Sequence, residues 1–252
     1  MTNPLAVSLF VFACVAGGAL LGIFLHSRLR TDHLTPESKE AVRLGMALVA
    51  TTVALVLGLL IASAKSYYDT GNTEIIQLAA DVVFLDRILA HYGPEAQEPR
   101  AELRDSVARL VDFDRSKSKS GRTRFDPGSD GSDALYEKIQ ALSSGNENQK
   151  RLQAQALQLT TEIGHTRWLM FEQKSTPMPT LLLAMLVFWL TALFISFGMF
   201  VRPNVVVVTS LLISALALTG AVFLILEMYH PYSGLIQVSD APLRAALAHL
   251  GH

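Results

Sequence analysis

The sequence predicts an all-α integral membrane protein with four transmembrane helices and a helical, water-exposed insert between the second and third. Three observations predict it. Half of the 252 residues are hydrophobic against 17% charged, and the mean hydropathy is +0.34. Four windows, residues 1–27, 44–64, 175–201 and 203–226, hold no Asp, Glu, Lys or Arg. The charge gathers between windows two and three, where residues 65–178 carry 15 Lys+Arg and 17 Asp+Glu. A bilayer core takes about 20 apolar residues of helix, and backbone that finds no hydrogen bond in lipid forces such segments to be helical. The competing reading makes one or two windows buried core helices of a soluble protein. Four charge-free windows of this length do not fit one soluble chain.

The first span is placed at residues 5–26. No Lys or Arg precedes it, and its apolar run is too long for a signal-peptide core, so it reads as retained. Val11-Phe12-Ala13-Cys14 loosely matches a lipoprotein cleavage site, but the apolar stretch runs on to Leu25. Thr35-Pro36-Glu37 has the marks of a helix start: Thr35 can cap, Pro36 suits the first helical position, and Glu37 complements the dipole. That helix runs into the second span, 44–64. Spans three and four, 180–200 and 204–228, are joined by the short turn Val201-Arg202-Pro203-Asn204. The expected organisation is 1–64 for spans one and two, 65–178 for the insert, 179–228 for spans three and four, and 229–252 for a C-terminal interfacial segment.

Within the insert, Ile75, Leu78, Ala79, Val82, Leu85, Ile88 and Leu89 recur at three- and four-residue steps, a helical stripe. It stops at Tyr92-Gly93-Pro94. Span two thus continues into the insert, with a break expected at Asp69-Thr70-Gly71-Asn72. A second helix fits 99–111. Residues 114–133, rich in Ser, Gly, Asp and Arg, read as a mobile loop. A third helix fits 133–172 with a break near Ser143-Ser144-Gly145, and Pro177 and Pro179 separate it from span three. No strand pattern emerges.

Four spans put both termini and the insert on one side. Tyr67, Tyr68, Trp168, Tyr229 and Tyr232 all fall at span ends on that side, where amphipathic rings favour the headgroup layer. Lys and Arg near the span ends are almost evenly split between the two sides, so charge does not orient the protein.

A net charge of −1 lacks the basic footprint of a nucleic-acid binder. The single cysteine, Cys14, excludes an intrachain disulfide or a multi-cysteine metal site. Phosphate-loop, dinucleotide, zinc-protease and serine-hydrolase motifs are missing. The seven histidines show no metal-ligand spacing. No catalytic residue, metal or cofactor is expected. The expected partners are the lipid bilayer and further copies of the chain, with the permeant ion unassigned.

The informative residues lie in the spans. Ala50, Ala54, Gly58 and Ala62 recur every four residues along span two, and Cys14, Gly18 and Gly22 make a similar stripe on span one. Small residues at this step let helices approach closely in lipid, and packing within one bundle is the expected role of both stripes. A second face of span two holds Gly45, Leu48, Thr52, Leu55, Leu59, Ser63 and Ser66, roughly 200° from the small stripe at about 100° per residue. A ring of such faces would enclose a narrow pore lined by Thr52, Leu55, Leu59 and Ser63, with Leu55 and Leu59 as a constriction that gates by dewetting. The same face also reads as an ordinary lipid-facing or bundle-facing Leu stripe. Glu227 ends span four; a carboxylate beside hydrocarbon is costly and marks either a functional group or a headgroup-level residue next to Tyr229. Asp81, Asp86 and Arg87 read as members of interhelical salt bridges.

Four strings carry a resemblance: Asp32-His33-Leu34-Thr35-Pro36-Glu37-Ser38-Lys39, Leu89-Ala90-His91-Tyr92-Gly93-Pro94-Glu95, Ser233-Gly234-Leu235-Ile236 and Ala241-Pro242-Leu243-Arg244. Together they resemble the bestrophin-like family of bacterial membrane proteins over nearly the whole chain. The four-span plan with its helical insert is more distantly similar to the bestrophins proper, which are pentameric anion channels with termini and insert in the cytosol and a pore neck lined by the second span. The resemblance implies a symmetric homo-oligomer, a pentamer, in a bacterial inner membrane, with Thr52, Leu55 and Leu59 at the neck. Span two holds no Phe between Leu44 and Ala64, and the acidic calcium clasp of animal bestrophins has no match, so anion selectivity and calcium gating do not carry over. The functional expectation is a bestrophin-like ion channel and not an enzyme; the alternative is a non-conducting scaffold or sensor whose polar segment 114–133 binds a partner.

Overall fold

The computed structural model describes residues 3–28, 36–120, 132–173, 180–200, 204–230 and 235–251. Among them all regular structure is helical: α1 (Pro4–Arg28), α2 (Pro36–Tyr92), α3 (Gln97–Ser120), α4 (Ser132–Gln140), α5 (Glu147–Gln173), α6 (Thr180–Phe200), α7 (Val205–Met228) and α8 (Ala241–His249), plus a single 3-10 turn at Pro94–Ala96. Four helices, α1, α2, α6 and α7, are long and apolar enough to cross a membrane. The chain divides into two compact units. One is Met1–Tyr68 with Pro177–Gln237, and the other is Asp69–Thr176 with Val238–His252.

In the first unit α1 packs against α6 and α7. Its core joins Val11, Val15 and Ala19 of α1, Val53, Leu60 and Ala64 of α2, Leu186, Leu190 and Phe194 of α6, and Val222 and Ile225 of α7. At the far end of α1 the ring Nδ1 of His26 lies 2.7 Å from the Met199 carbonyl oxygen and, as the N–H tautomer, donates to it, tying the end of α1 to the end of α6.

Helix α2 runs unbroken for 57 residues, about 85 Å at about 1.5 Å per residue, far more than the roughly 30 Å of a hydrocarbon core. The break expected at Asp69-Thr70-Gly71-Asn72 is absent. Gly71 is buried, and the Thr73 hydroxyl donates to the Asp69 carbonyl at 2.9 Å, one turn back. Burial on both sides of this stretch outweighs the roughly 1 kcal/mol that a helical glycine costs relative to alanine. The stop is where the sequence put it: Gly93 takes φ 127°, a left-handed conformation that favours glycine, and Pro94 opens the turn.

The second unit is a small helical bundle. Ile75, Leu78, Ala79, Val82, Leu85, Ile88 and Leu89, the whole stripe of α2, are buried with Leu103 and Val107 of α3, Leu135 and Ile139 of α4, and Ala156, Leu159 and Ile163 of α5. One cavity in this core, bordered by Leu78, Leu103, Leu135, Ile163 and Leu243, measures about 30 Å³, room for a single water. The α4–α5 corner is closed by one side chain: the Gln153 amide nitrogen donates to the carbonyls of Ile139 (2.9 Å), Gln140 (3.1 Å) and Leu142 (3.0 Å). Two expectations are corrected. Helix α3 continues through Ser120, so 114–120 is helical backbone, since extending a formed helix is far cheaper than nucleating one; the helix after the segment starts at Ser132, and 121–131 lie outside the described residues. The interfacial reading of 229–252 misses α8, which packs on α3 and brings Leu243 and Ala246 into the insert's core.

Ion pairs link the insert's helices. Asp86 of α2 accepts from Arg100 Nε at 2.7 Å and from Arg100 NH2 at 2.9 Å. This hydrogen bond raises the Arg100 pKa further above its ordinary value. Arg87 lies on the exposed side of α2, and Asp81 takes a hydrogen bond from Gln77 of its own helix; burial raises the Asp81 pKa. Only Asp86 of the three therefore has a salt bridge among those the structure resolves. Glu102 of α3 accepts from Lys138 of α4 and from Arg109, both at 3.0 Å. Those two hydrogen bonds, Lys138 first, hold its carboxyl below the ordinary value. A carboxyl lowered in the folded state stabilises the fold above its unfolded pKa, and that contribution is lost as pH falls through the folded value. Acid unfolding of the full chain in detergent, followed by circular dichroism from neutral pH downward, is expected to show this loss below the usual carboxylate range. Glu102→Gln should make the same limb shallower, and an unchanged limb would remove Glu102 from the explanation.

Candidate functional site

The site to be judged is the face of α2 that its own chain leaves uncovered. Only 11% of the apolar window of α2 is buried, against 39%, 28% and 17% for α1, α6 and α7. Val53, Leu60 and Ala64 face the core. Leu55 and Leu59 point away, 71% and 64% exposed, in line with exposed Leu44 and Leu48. Thr52 is exposed as well, but its hydroxyl donates to the Leu48 carbonyl at 3.0 Å, so its hydrogen is held by its own helix. Ser63 sits at the margin of this face, where its hydroxyl meets the Tyr229 hydroxyl at 3.0 Å.

The small-residue stripes divide. On α1, Gly18 and Gly22 lie against α6: a Cβ on Gly18 would come 3.1 Å from the Thr191 carbonyl oxygen, and one on Gly22 would overlap the Ile195 carbonyl and sit 3.0 Å from the Gly198 Cα. Cys14 is half-buried on the same helix. On α2, Ala50 packs against the core, but Ala54, Gly58 and Ala62 are exposed and nothing lies within 4 Å of a Cβ built on Gly58. The expectation that this stripe lies across the helix from Leu55 and Leu59 and packs within the chain is therefore corrected. A four-residue step turns about 400°, so successive members drift by about 40°, and Ala62 comes round close to the direction of Leu55.

Glu227 is 3% exposed at the end of α7. Its Oε2 accepts the backbone N–H of Leu235 at 2.7 Å and of Ile236 at 3.4 Å. The carboxylate is thus occupied in holding the chain that follows the span. Sequence reasoning missed three participants. Gly198 of α6 answers Gly22, but a lone glycine in an apolar helix carries no stripe to reveal it. Arg100 answers Asp86 from 14 residues away. The spacing that puts Tyr229 at a span end gives no sign that its hydroxyl and ring also engage α2. Among the described residues no group of three or more His, Cys, Asp or Glu is gathered to hold a metal.

A family model for the Bestrophin-like domain matches residues 13–243. The chain belongs to the Bestrophin-like family. The fold of this bestrophin-like chain agrees: it is similar to the crystal structure of a mutated bacterial bestrophin homolog from Klebsiella pneumoniae, with a TM-score of 0.66 and 13% sequence identity over 96% of this chain and 97% of that one. No curated protein sequence matches the bestrophin-like chain. Family, fold and four spanning-length helices together make it a multi-pass membrane protein.

Proposed function

We propose that the protein is a homo-oligomeric ion channel, a pentamer in the bacterial inner membrane with insert and termini in the cytoplasm, in which α2 lines the conduit through Thr52, Leu55, Leu59 and Ser63. The observation that carries this reading is the uncovered Leu55 and Leu59 face on the least buried of the four spanning helices. Family and fold support a channel-like function. Copies arranged around an axis would turn these faces inward, and Ala54, Gly58 and Ala62, left unpacked by their own chain, would let neighbouring α2 helices approach closely. With the Thr52 hydroxyl spent on Leu48, the wall at this level is hydrocarbon, and a narrow apolar ring closes to ions by expelling water.

Purified protein in planar bilayers tests this directly. Leu55→Ala and Leu59→Ala are each expected to raise ion conductance several-fold by widening the ring, with oligomer mass in detergent unchanged. A folded oligomer that passes no ions, or conductance insensitive to both substitutions, would remove α2 as the conduit wall. The scaffold reading drew on the polar segment 114–133, which is helical as far as Ser120, and no observation favours it over the channel.

A further inference from the structure

Where α7 ends, several contacts converge at one end of the membrane unit. The Tyr229 hydroxyl lies 3.0 Å from the Ser63 hydroxyl. The Tyr229 ring lies against the Tyr67 ring, centroids 5.6 Å apart and planes at 35°. The Tyr68 hydroxyl donates to the Gln237 carbonyl at 3.3 Å. From the other side, buried Glu227 takes the N–H groups of Leu235 and Ile236. Ser63, Tyr67 and Tyr68, within about a turn and a half of α2, are thereby fastened to Tyr229 at the end of α7 and to Gln237. A carboxylate accepting main-chain N–H groups is a charge-assisted contact, stronger than neutral hydrogen bonds. Glu227 thus ties Leu235 to the end of α7, while the Ser63–Tyr229 pair is a single neutral hydrogen bond at an exposed margin.

We infer that Tyr229, held at the end of α7 by its backbone bond to Ile225, is a positioning residue that latches α2 through Ser63 and so sets the balance between two conformations of the conduit helix. The inference rests on the reading of α2 as conduit wall and adds the element that governs it. Tyr229 need not touch a permeating ion; it acts through the setting of Ser63 and Tyr67.

Tyr229→Phe and Ser63→Ala each remove one hydroxyl and leave the packing in place, so both fold. In single-channel recordings of the full-length protein, each is expected to shift the ratio of open to closed time in the same direction by about fivefold, the worth of one neutral hydrogen bond. In Tyr229→Phe, which lies outside the conduit wall, unitary conductance should stay as in the wild type. The double variant should shift it no further than either single one, since both delete the same contact. Additive shifts, altered unitary conductance in Tyr229→Phe, or an unchanged ratio in a channel whose Leu55→Ala variant does respond would overturn the latch and leave the conduit standing. If the wild-type protein passes no ions, the conduit reading falls, and hydrogen exchange of the detergent-solubilised protein decides the latch. Faster exchange of the α2 amides around Ser63 and Tyr67 in Tyr229→Phe supports it, and unchanged exchange refutes it.

Discussion

Gly22→Leu is expected to drive α1 and α6 apart and to cost the membrane unit about 3 kcal/mol or more, the upper end of what overpacking does in a close-packed core. The obstacle is backbone. A Cβ on residue 22 would overlap the Ile195 carbonyl, and reciprocally one on residue 198 would overlap the Ala19 carbonyl oxygen and reach the Ile23 nitrogen at 2.8 Å. A neighbouring side chain could rotate away, whereas these carbonyls are committed to their own helices, so relief requires moving a whole helix and opening the contacts around Val15, Ala19 and Leu190. Gly198→Leu should behave alike. Gly17→Leu on the same helix is the control, since nothing lies within 4 Å of a Cβ built there. Thermal unfolding monitored by size-exclusion chromatography in detergent checks this: Gly22→Leu and Gly198→Leu should melt far below the wild type or fail to elute as folded protein. A Gly22→Leu protein that melts with the wild type would show that the two helices need no close approach.

Asp86→Ala is expected to destabilise the insert by about 3 kcal/mol, because breaking one side of a buried pair leaves a charge without its partner. The Asp86 side chain is only 4% exposed and that of Arg100 22%, so water screens the pair incompletely, and the orphaned guanidinium recovers only part of its hydration. Replacing both partners together, as Asp86→Leu with Arg100→Met, should restore much of the loss, since well-packed apolar residues of similar volume substitute for buried ion pairs at little cost. Thermal midpoints of the single and double variants give the comparison. A double variant no better than Asp86→Ala would mean that Asp86 acts through something other than Arg100.

The spans were legible because charge in lipid is so costly that its absence over some 20 residues is itself a signal. The apolar stripe of the lower α2 was equally plain, and so was its end at Gly93-Pro94, where local chemistry alone decides. The break placed at Asp69-Thr70-Gly71-Asn72 failed because local preference there is weak and the burial of Gly71, a tertiary fact, overrides it. Helix α8 escaped because nine residues are too few for a periodic pattern, and its docking on α3 has no local trace. For the candidate site, the exposed direction of Leu55 and Leu59 followed from helical spacing. The fate of the hydroxyls did not: Ser63 finds Tyr229, 166 positions on, and no spacing rule spans that separation.

Gln153 carries an unusual restriction on sequence drift. Its amide has two hydrogens for three carbonyl oxygens, so at least one is shared, and the end of α4 loses this side-chain donor if residue 153 changes. Glutamate would aim lone pairs at lone pairs. Asparagine falls a methylene short, and leucine would leave the Leu142 carbonyl without this donor and the Ile139 carbonyl with only the longer Leu142 N–H bond. At position 153 the amide's length and its protons both serve this corner, although it lies far in sequence from every residue of the proposed conduit.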